Sequence, residues 1–428
     1  MQPLKSLQLV FTNKDLRKRI LITICIILIF RVLAQIPLPG VDISGLKAFF
    51  ENNQLFGLLD LFSGGSVSRF SLVLLGVGPY ITASIAFQLL VMVIPSLEAL
   101  QKEGEYGRKK INQYTRYASV PLAFIEAYGL LRLLQSQGVI QVAGVWELVL
   151  ILIAATAGSV FLMWLGEIIS EKGIGNGISM IIAFGIIAGL PPNIGNLAQI
   201  VSGDSSKILL AIVYGLVIIA MIVFIVWMTE AERRIPVTYA TRMRSMRDPS
   251  RIESYLPIKL NAAGVIPIIF ATSLLVFPGV VSQLFTNARS EWLRTVAHQI
   301  QAFFSNNYYY AIVFFVLVIA FTYFYTSVIF KPDQVAENLQ KQGSFVPGVR
   351  PGHETSRYIR TILYRVTTTG ALFLAAVAVV PFLLQATTTE FKTLAIGGTG
   401  ILIIVAVAID TMNQIKSQMV SQTYDKYL

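Results

Sequence analysis

The chain has 428 residues, of which 55% are hydrophobic and only 13% charged, and its mean hydropathy is +0.67. A soluble domain carries roughly 25% charged residues, so lipid is the expected solvent and a string of soluble domains is excluded. The net charge of +11 lies in short blocks between apolar runs rather than on one soluble face, which makes it a topology signal before it is a nucleic-acid signal.

Apolar runs of 17 to 23 residues recur along the sequence, and each matches the roughly 20 residues a helix needs to cross hydrocarbon. The first, Ile20 to Ile36, follows the basic residues Lys14, Arg17, Lys18 and Arg19 as a signal peptide would. It continues without a small-residue cleavage pattern, so it is read as a span. It contains the lone cysteine, Cys25, which rules out a disulfide framework or thiolate cluster. Near its end lies Arg31, for which snorkelling to the interface is the simple reading.

Residues 37–71 are too long for a turn and only half polar, and they include Leu58-Leu59-Asp60-Leu61-Phe62-Ser63-Gly64-Gly65-Ser66. Two readings stay open: an external loop with an amphipathic helix, or a re-entrant piece, which needs a surrounding cavity because irregular backbone is not tolerated against lipid. The second span, Leu72 to Ile94, opens on Gly76-Val77-Gly78-Pro79. The third, Ala118 to Leu134, carries Glu126 in its middle, where a carboxylate is expected to face the bundle interior. The fourth to seventh are expected at Leu148 to Ile169, Ile174 to Leu190, Ile208 to Met228 and Ala262 to Val281. The eighth to tenth follow at Tyr309 to Phe330, Val366 to Leu384 and Leu394 to Met412, with Asp410 near the end of the last.

With both termini inside, 26 of the 34 lysines and arginines fall in the inner segments, as retention of basic loops in the cytoplasm requires. Ten spans divide into five and five, so the second half starts from the opposite side of the membrane. The halves, 1–195 and 196–428, then form an inverted repeat. Gly264-Val265-Ile266-Pro267 at the start of the seventh span matches the opening of the second, both being second in their half.

No Gly-x-x-x-x-Gly-Lys-Ser/Thr loop or His-Glu-x-x-His occurs, and His298 and His353 stand far apart, so no nucleotide hydrolysis, metallopeptidase chemistry or metal cofactor is expected. Val77 with Ile81 and Ile178 with Ile182 are apolar pairs that follow glycine-rich interruptions. Spacing leaves open whether they are core or a greasy constriction that resists water by dewetting. Two inner loops, about 229–260 and 331–361, carry more arginine and lysine than orientation needs. They read either as topology determinants or as a surface for an acidic partner or ribosomal RNA phosphates. A proton- or sodium-coupled transporter is disfavoured by the few ionisable residues within spans, and a scaffold that only docks ribosomes would need no pore.

Seven motifs in order carry a resemblance: Ile36-Pro37-Leu38-Pro39-Gly40-Val41-Asp42, Phe62-Ser63-Gly64-Gly65, Pro79-Tyr80-Ile81-Thr82-Ala83-Ser84-Ile85, Gly173-Ile174-Gly175-Asn176-Gly177-Ile178-Ser179, Ala231-Glu232-Arg233-Arg234-Ile235-Pro236-Val237, Phe345 to Gly352, and Gly397-Gly398-Thr399. The chain resembles, nearly end to end, the SecY family of protein-conducting channels, in its bacterial branch. The resemblance implies an all-α membrane protein of ten helices, two inverted halves forming a clamshell around a central pore. It implies a pore ring at Val77, Ile81, Ile178, Ile182, Ile269 and Ile403, and a plug over about 61–70, including Leu61, Phe62, Ser63, Gly64, Gly65 and Arg69. It places a lateral gate between spans two and seven with Thr82, Glu126, Thr272 and Ser273 as polar gate residues, and a docking surface for the SecA ATPase or the ribosome at Arg233, Arg234 and Arg350. The implied partners are SecE, SecG, SecA, the ribosome, signal peptides and nascent chains, and the lipid bilayer. The implied setting is a bacterial inner membrane in preference to a thylakoid.

Overall fold

The computed structural model describes residues 13–38, 60, 63–136, 138–140, 144–203, 208–239, 254–285, 290–387 and 398–425. Leu61 and Phe62 of the expected plug, Pro39 to Asp42, Leu58 and Leu59, Arg242, Arg244, Arg247 and Arg251, Leu394 and Gly397 lie outside the described residues.

Each expected span falls on a helix. In chain order the elements begin with α1 Lys14–Leu33, α2 Gly78–Val93, α3 Pro95–Lys102, α4 Glu105–Ser136, α5 Val145–Lys172 and α6 Gly177–Gly203, which runs past the expected boundary between halves at 195. They continue with α7 Ile208–Glu230, β1 Glu232–Tyr239, β2 Ser254–Lys259, α8 Ile266–Phe285, α9 Glu291–Ser305, α10 Asn307–Ile329, α11 Pro332–Lys341, β3 Ser344–Phe345, α12 His353–Thr387 and α13 Gly398–Asp425. Six helices among the described residues are individually long and apolar enough to cross a membrane. The others expected to cross are interrupted for identifiable reasons. Pro191 and Pro192 lie inside α6 and Pro278 inside α8, α1 opens on its basic cluster, and α2 turns by 99° into α3 at Pro95. Ile94, which precedes that proline, is extended, as the clash with the proline ring demands.

The helices are apolar on more sides than one, which a water-soluble bundle avoids. On α1, Leu16, Thr23, Ile26, Ile27 and Phe30 are buried while Leu21, Ile24, Leu28 and Val32 are exposed. On α7 the exposed set is Leu209, Ile212, Leu216, Ile219, Val223 and Trp227. These stripes have hydrocarbon as their natural solvent, so the chain is a multi-pass membrane protein.

With no hydrophobic drive between helices in lipid, close approach is achieved at small residues. A Cβ at Gly177 would lie 1.8 Å from the Gly166 carbonyl oxygen, so α5 and α6 cross backbone to backbone there. At Gly158 a Cβ would lie 2.0 Å from the Leu72 carbonyl oxygen, and the next residue, Ser159, donates its hydroxyl to the Gly76 carbonyl at 2.6 Å. The chain ahead of α2 is thereby pressed onto α5. The paired motifs also agree in backbone. Gly76 and Gly264 both have positive φ, +58° and +65°, and each sits just ahead of the helix start at Gly78-Pro79 or Ile266-Pro267.

One element departs from an all-helical expectation. The two basic loops contribute a three-stranded antiparallel sheet in the order β2, β1, β3, with Ile235 opposite Leu256 and Thr238 opposite Phe345. Pro236 and Pro257 argue against strands in the sequence, but a short sheet whose strands carry unpaired edges tolerates them. The signal that was available is the alternation of buried Ile235 and Val237 with exposed neighbours.

The helix crossing at Gly158 makes a prediction. Gly158→Val should destabilise the protein in detergent by roughly 1–3 kcal/mol or prevent folding. Gly215→Val, at a position on α7 with open space around it, should be close to neutral. Thermal unfolding of the two purified variants side by side checks this.

Candidate functional site

Of the six expected ring residues, Val77, Ile182, Ile269 and Ile403 are buried within one large hydrophobic core of the helices, and Ile81 and Ile178 are partly buried against it. All come from the beginnings of helices: Val77 is the residue capping α2 and Ile81 lies in its first turn, Ile178 and Ile182 are near the start of α6, Ile269 is the fourth residue of α8, and Ile403 the sixth of α13. Each of these helices starts at or just after a glycine, so the glycines fix the helix starts that carry them. All six side chains are branched aliphatic.

Directly beside this core lies the described part of the expected plug. Gly64 and Gly65 have φ of +73° and +79°, a turn open only to glycine without strain. A Cβ at Gly64 would stand 2.7 Å from the Gly185 Cα and 3.3 Å from the Phe30 ring. Gly185 is one turn of α6 beyond Ile182, about 4.5 Å along the axis, so the segment rests against the wall next to the ring. Its backbone is held on several sides. The Arg31 guanidinium donates to the Gly64 carbonyl at 3.1 Å, the Asp60 carboxylate accepts from the Ser68 amide at 2.8 Å, and the buried Ser66 hydroxyl donates to the Ser63 carbonyl at 2.7 Å. Arg69 reaches Gln35 on the other side of the segment. The Leu38 amide donates to the Phe70 carbonyl and the Leu72 amide to the Ile36 carbonyl, so the segment returns as an antiparallel bridge at Pro37 and Ser71. Phe70 is fully buried with φ +47°, a strained value for a bulky residue. Arg31 was expected to snorkel to the interface. Its guanidinium turns into the protein instead, because a carbonyl with no helical partner lies within reach.

Of the expected gate residues, Glu126 lies ten residues from the end of α4, well inside the helix, and the Thr82 hydroxyl on α2 donates to the Gly78 carbonyl of its own helix at 3.2 Å. A Cβ at Gly78 would stand 3.9 Å from Glu126 Oε2, so the carboxyl sits against the first turn of α2 and not out in lipid. Thr272 is buried and spends its hydroxyl on the Ile269 carbonyl of its own helix at 2.8 Å, and Ser273, the next residue, is partly exposed. The structure therefore brings Glu126 to the start of α2, while the Thr82 and Thr272 hydroxyls are directed along their own helices. An apolar groove on the outer surface between α4 and α5, lined by Val120, Phe124, Ile153, Phe161 and Trp164, is separate from this cluster.

Arg233, Arg234 and Arg350 are exposed around the sheet. Arg234 pairs with Glu232 at 2.7 Å and lies over the Tyr255 ring at 4.7 Å. The sheet rests on its own small core of Ile235, Ile258, Val346, Ile359 and Leu363, which joins the hairpin, the loop after β3 and the start of α12. The Arg350 carbonyl accepts from the Thr355 hydroxyl at 2.8 Å. At the base of the loop, Asp333 on α11 accepts from the Ser356 hydroxyl and from Arg360 on α12. The sequence showed the basic residues but not that one sheet gathers them on one platform.

The matching family model is described as SecY, and the match covers residues 71–412. The chain belongs to the SecY family. Curated relatives named Protein translocase subunit SecY are 39% identical in Corynebacterium glutamicum, over 98% of each chain, and 40% identical in Halalkalibacterium halodurans, over 99% of each. The relative of that name in Pseudomonas aeruginosa is 42% identical over 94% of this chain and 90% of its own. Among solved structures, one described as a protein-conducting channel matches with a TM-score of 0.65 at 17% identity, covering 95% of this chain and 93% of the other. A second, described as showing that the SecY plug domain stabilises the closed state of the translocation channel, matches with a TM-score of 0.69 at 19% identity and the same coverage. A third, the channel in a canine ribosome–channel complex, gives 0.62 at 18% identity, again over 95% and 93%. As a SecY-family member the chain is a translocase subunit, a channel and not an enzyme.

The platform under Arg350 makes a pH prediction. The Asp333 carboxyl is held below its ordinary value first by the Ser356 hydroxyl and then by the Arg360 and His353 charges. A depressed carboxylate contributes order above its ordinary pKa and loses that contribution as pH falls through the lowered value. Proteolysis of the 341–352 loop should therefore accelerate as pH drops below the ordinary carboxylate range, and Asp333→Asn should show the faster rate already at neutral pH. Acid-tolerant limited proteolysis of the purified protein reads both.

Proposed function

We propose that the chain is the central pore subunit of a Sec translocon in a bacterial inner membrane, with both termini cytoplasmic. It conducts unfolded secretory polypeptides and releases hydrophobic segments into lipid. The observation that carries this reading is that Val77, Ile81, Ile178, Ile182, Ile269 and Ile403, near the beginnings of four helices, all lie in or against one buried apolar core, with an irregular segment packed on α6 at Gly185. Branched aliphatic side chains offer a passing chain no specific hydrogen bonds, so they close around any sequence, and when empty they resist water and ions by dewetting.

On this reading the segment about 61–70 is the plug, and the halves 1–195 and 196–428 open as a clamshell. Helices α2 and α8 border the lateral gate, through which partitioning selects apolar segments, with Thr82, Glu126, Thr272 and Ser273 as its polar residues. The Glu126 carboxyl, which sits against the first turn of α2 at Gly78, supports a gate held by a small number of polar contacts that can break without great cost. The exposed arginines Arg233, Arg234 and Arg350 form the docking surface for SecA or the ribosome, including its RNA phosphates. No site for nucleotide is visible in the sequence, so the energy is supplied by that partner. SecE and SecG complete the assembly.

Two outcomes test the assignment. Ile182→Asn or Ile403→Asn should raise ion leak through the reconstituted channel several-fold and allow export of precursors with defective signal sequences. Unchanged leak and stringency would remove the ring. Arg350→Glu should insert normally into membranes yet lose SecA-driven transport of a precursor into vesicles by at least about tenfold, the effect of removing one buried charge contact. Parental transport would remove the docking assignment.

A further inference from the structure

The seal requires that the segment 60–70 stay in place when no chain is passing, and packing against the ring is a non-directional force. Two features of its seat are directional. The first is the Arg31 guanidinium of α1, half-buried, which donates to the Gly64 carbonyl at 3.1 Å across 33 residues of sequence. The second is Gly185 of α6, where the absence of a side chain allows the Gly64 backbone to lie within 3.0 Å of where a Cβ would stand. Phe30, the neighbour of Arg31, closes the third side with its ring 3.3 Å from the place of a Gly64 side chain. The segment tip is thus gripped between the outer turn of α1 and the ring helix α6.

We infer that Arg31 and Gly185 form a clasp that holds the plug segment closed, with Arg31 the positioning residue that latches the Gly64 carbonyl. This rests on the reading of residues 61–70 as the plug. The chemistry suits a latch. Gly64, in its left-handed turn, offers a carbonyl outside any helix, and a charged donor makes a stronger hydrogen bond to such a carbonyl than a neutral one. Gly185 sets the reach, since any side chain there would push the turn away from the guanidinium. The bond is single and at the edge of the bundle, so a polypeptide entering the ring from the other side can break it without unfolding either helix. The strained Phe70 at the far end of the segment gives the released form a conformational gain that opposes the clasp.

The test uses the full translocon complex in proteoliposomes, in a Cys25→Ser background carrying Ser66→Cys as a reporter. Ser66 is fully buried in the clasped segment, so a membrane-impermeant maleimide should label the reporter slowly. Arg31→Gln should raise both the labelling rate and the ion leak about tenfold, the shift expected from losing one hydrogen bond to a charged group. Arg31→Lys, which keeps a charged donor, should return both toward the parent. That rescue separates a latch from mere disturbance of α1. If Arg31→Gln fails to assemble, Gly185→Ala tests the same contact from the other helix and should act in the same direction. Parental labelling and leak in both variants would overturn the clasp. Faster labelling with parental leak would uphold the contact and overturn the reading of the segment as the seal, and with it the latch role.

Discussion

A backbone amide or carbonyl inside a membrane has no water to fall back on, and the course of residues 60–77 is governed by that constraint. Here the described residues 63–77 are irregular and packed among the helices, and several of their backbone polar atoms are met one by one. The Leu38 amide serves the Phe70 carbonyl and the Leu72 amide the Ile36 carbonyl across the bridge, Ser159 serves Gly76, Ser66 serves Ser63, and Arg31 serves Gly64. Every one of these partners belongs to a neighbouring helix, to the residues after α1 or to the segment itself. Such a segment can exist only inside a ring of helices, so a non-helical piece held at this depth is evidence for an enclosed passage. The small residues that permit it are Gly158 on α5, where a methyl group would collide with the Leu72 carbonyl, and Gly185 on α6, where it would crowd the Gly64 backbone at 3.0 Å.

On the proposed reading, the aliphatic ring follows from other glycines, Gly78, Gly177, Gly264 and Gly398, at or just ahead of four helix starts. Helices that begin part-way through the bundle bring their first turns, and not their middles, to the centre, and α2, α6, α8 and α13 all do so. A first turn has free amides, yet the side chains facing inward there are Val and Ile. Backbone polarity is turned along the helix axis while the branched side chains meet across it, and this permits a constriction that is narrow without being sticky.

Much of this was legible in the residues. Span lengths, the lysine and arginine asymmetry and the paired glycine-proline openings pointed to the membrane class, because each depends on local composition or spacing, whereas the ring positions came only from the family resemblance. What escaped depends on pairing between distant segments. The strands at Glu232–Tyr239 and Ser254–Lys259 contain prolines and are too short to dominate a hydropathy pattern, and β3 is two residues long. The turn of Arg31 toward Gly64 could not be read from its place near a span end, where an arginine in isolation would snorkel. Nor does anything in the sequence around Gly185 distinguish it from Gly189, which has open space, since the difference is what lies opposite.

The sheet also changes how the basic loops are to be understood. The β1–β2 hairpin leaves directly from α7 and leads, through Leu260, into α8, and the Leu260 amide donates to the Ala231 carbonyl at 2.9 Å, pinning the two ends of the hairpin together. Leu260 in turn lies against α12, where a Cβ at Gly370 would stand 2.2 Å from its carbonyl oxygen. A load applied at Arg233 or Arg234 is therefore not dissipated in a mobile loop. It is borne by a paired sheet with a buried core and passed to the base of α8, the helix that contributes Ile269 to the ring and Thr272 to the expected gate. On the proposed reading, docking of a motor and loosening of the gate share one short mechanical path. The structural reason is that the loop after β3, which carries Arg350, is hydrogen-bonded into the same sheet that ends at α8.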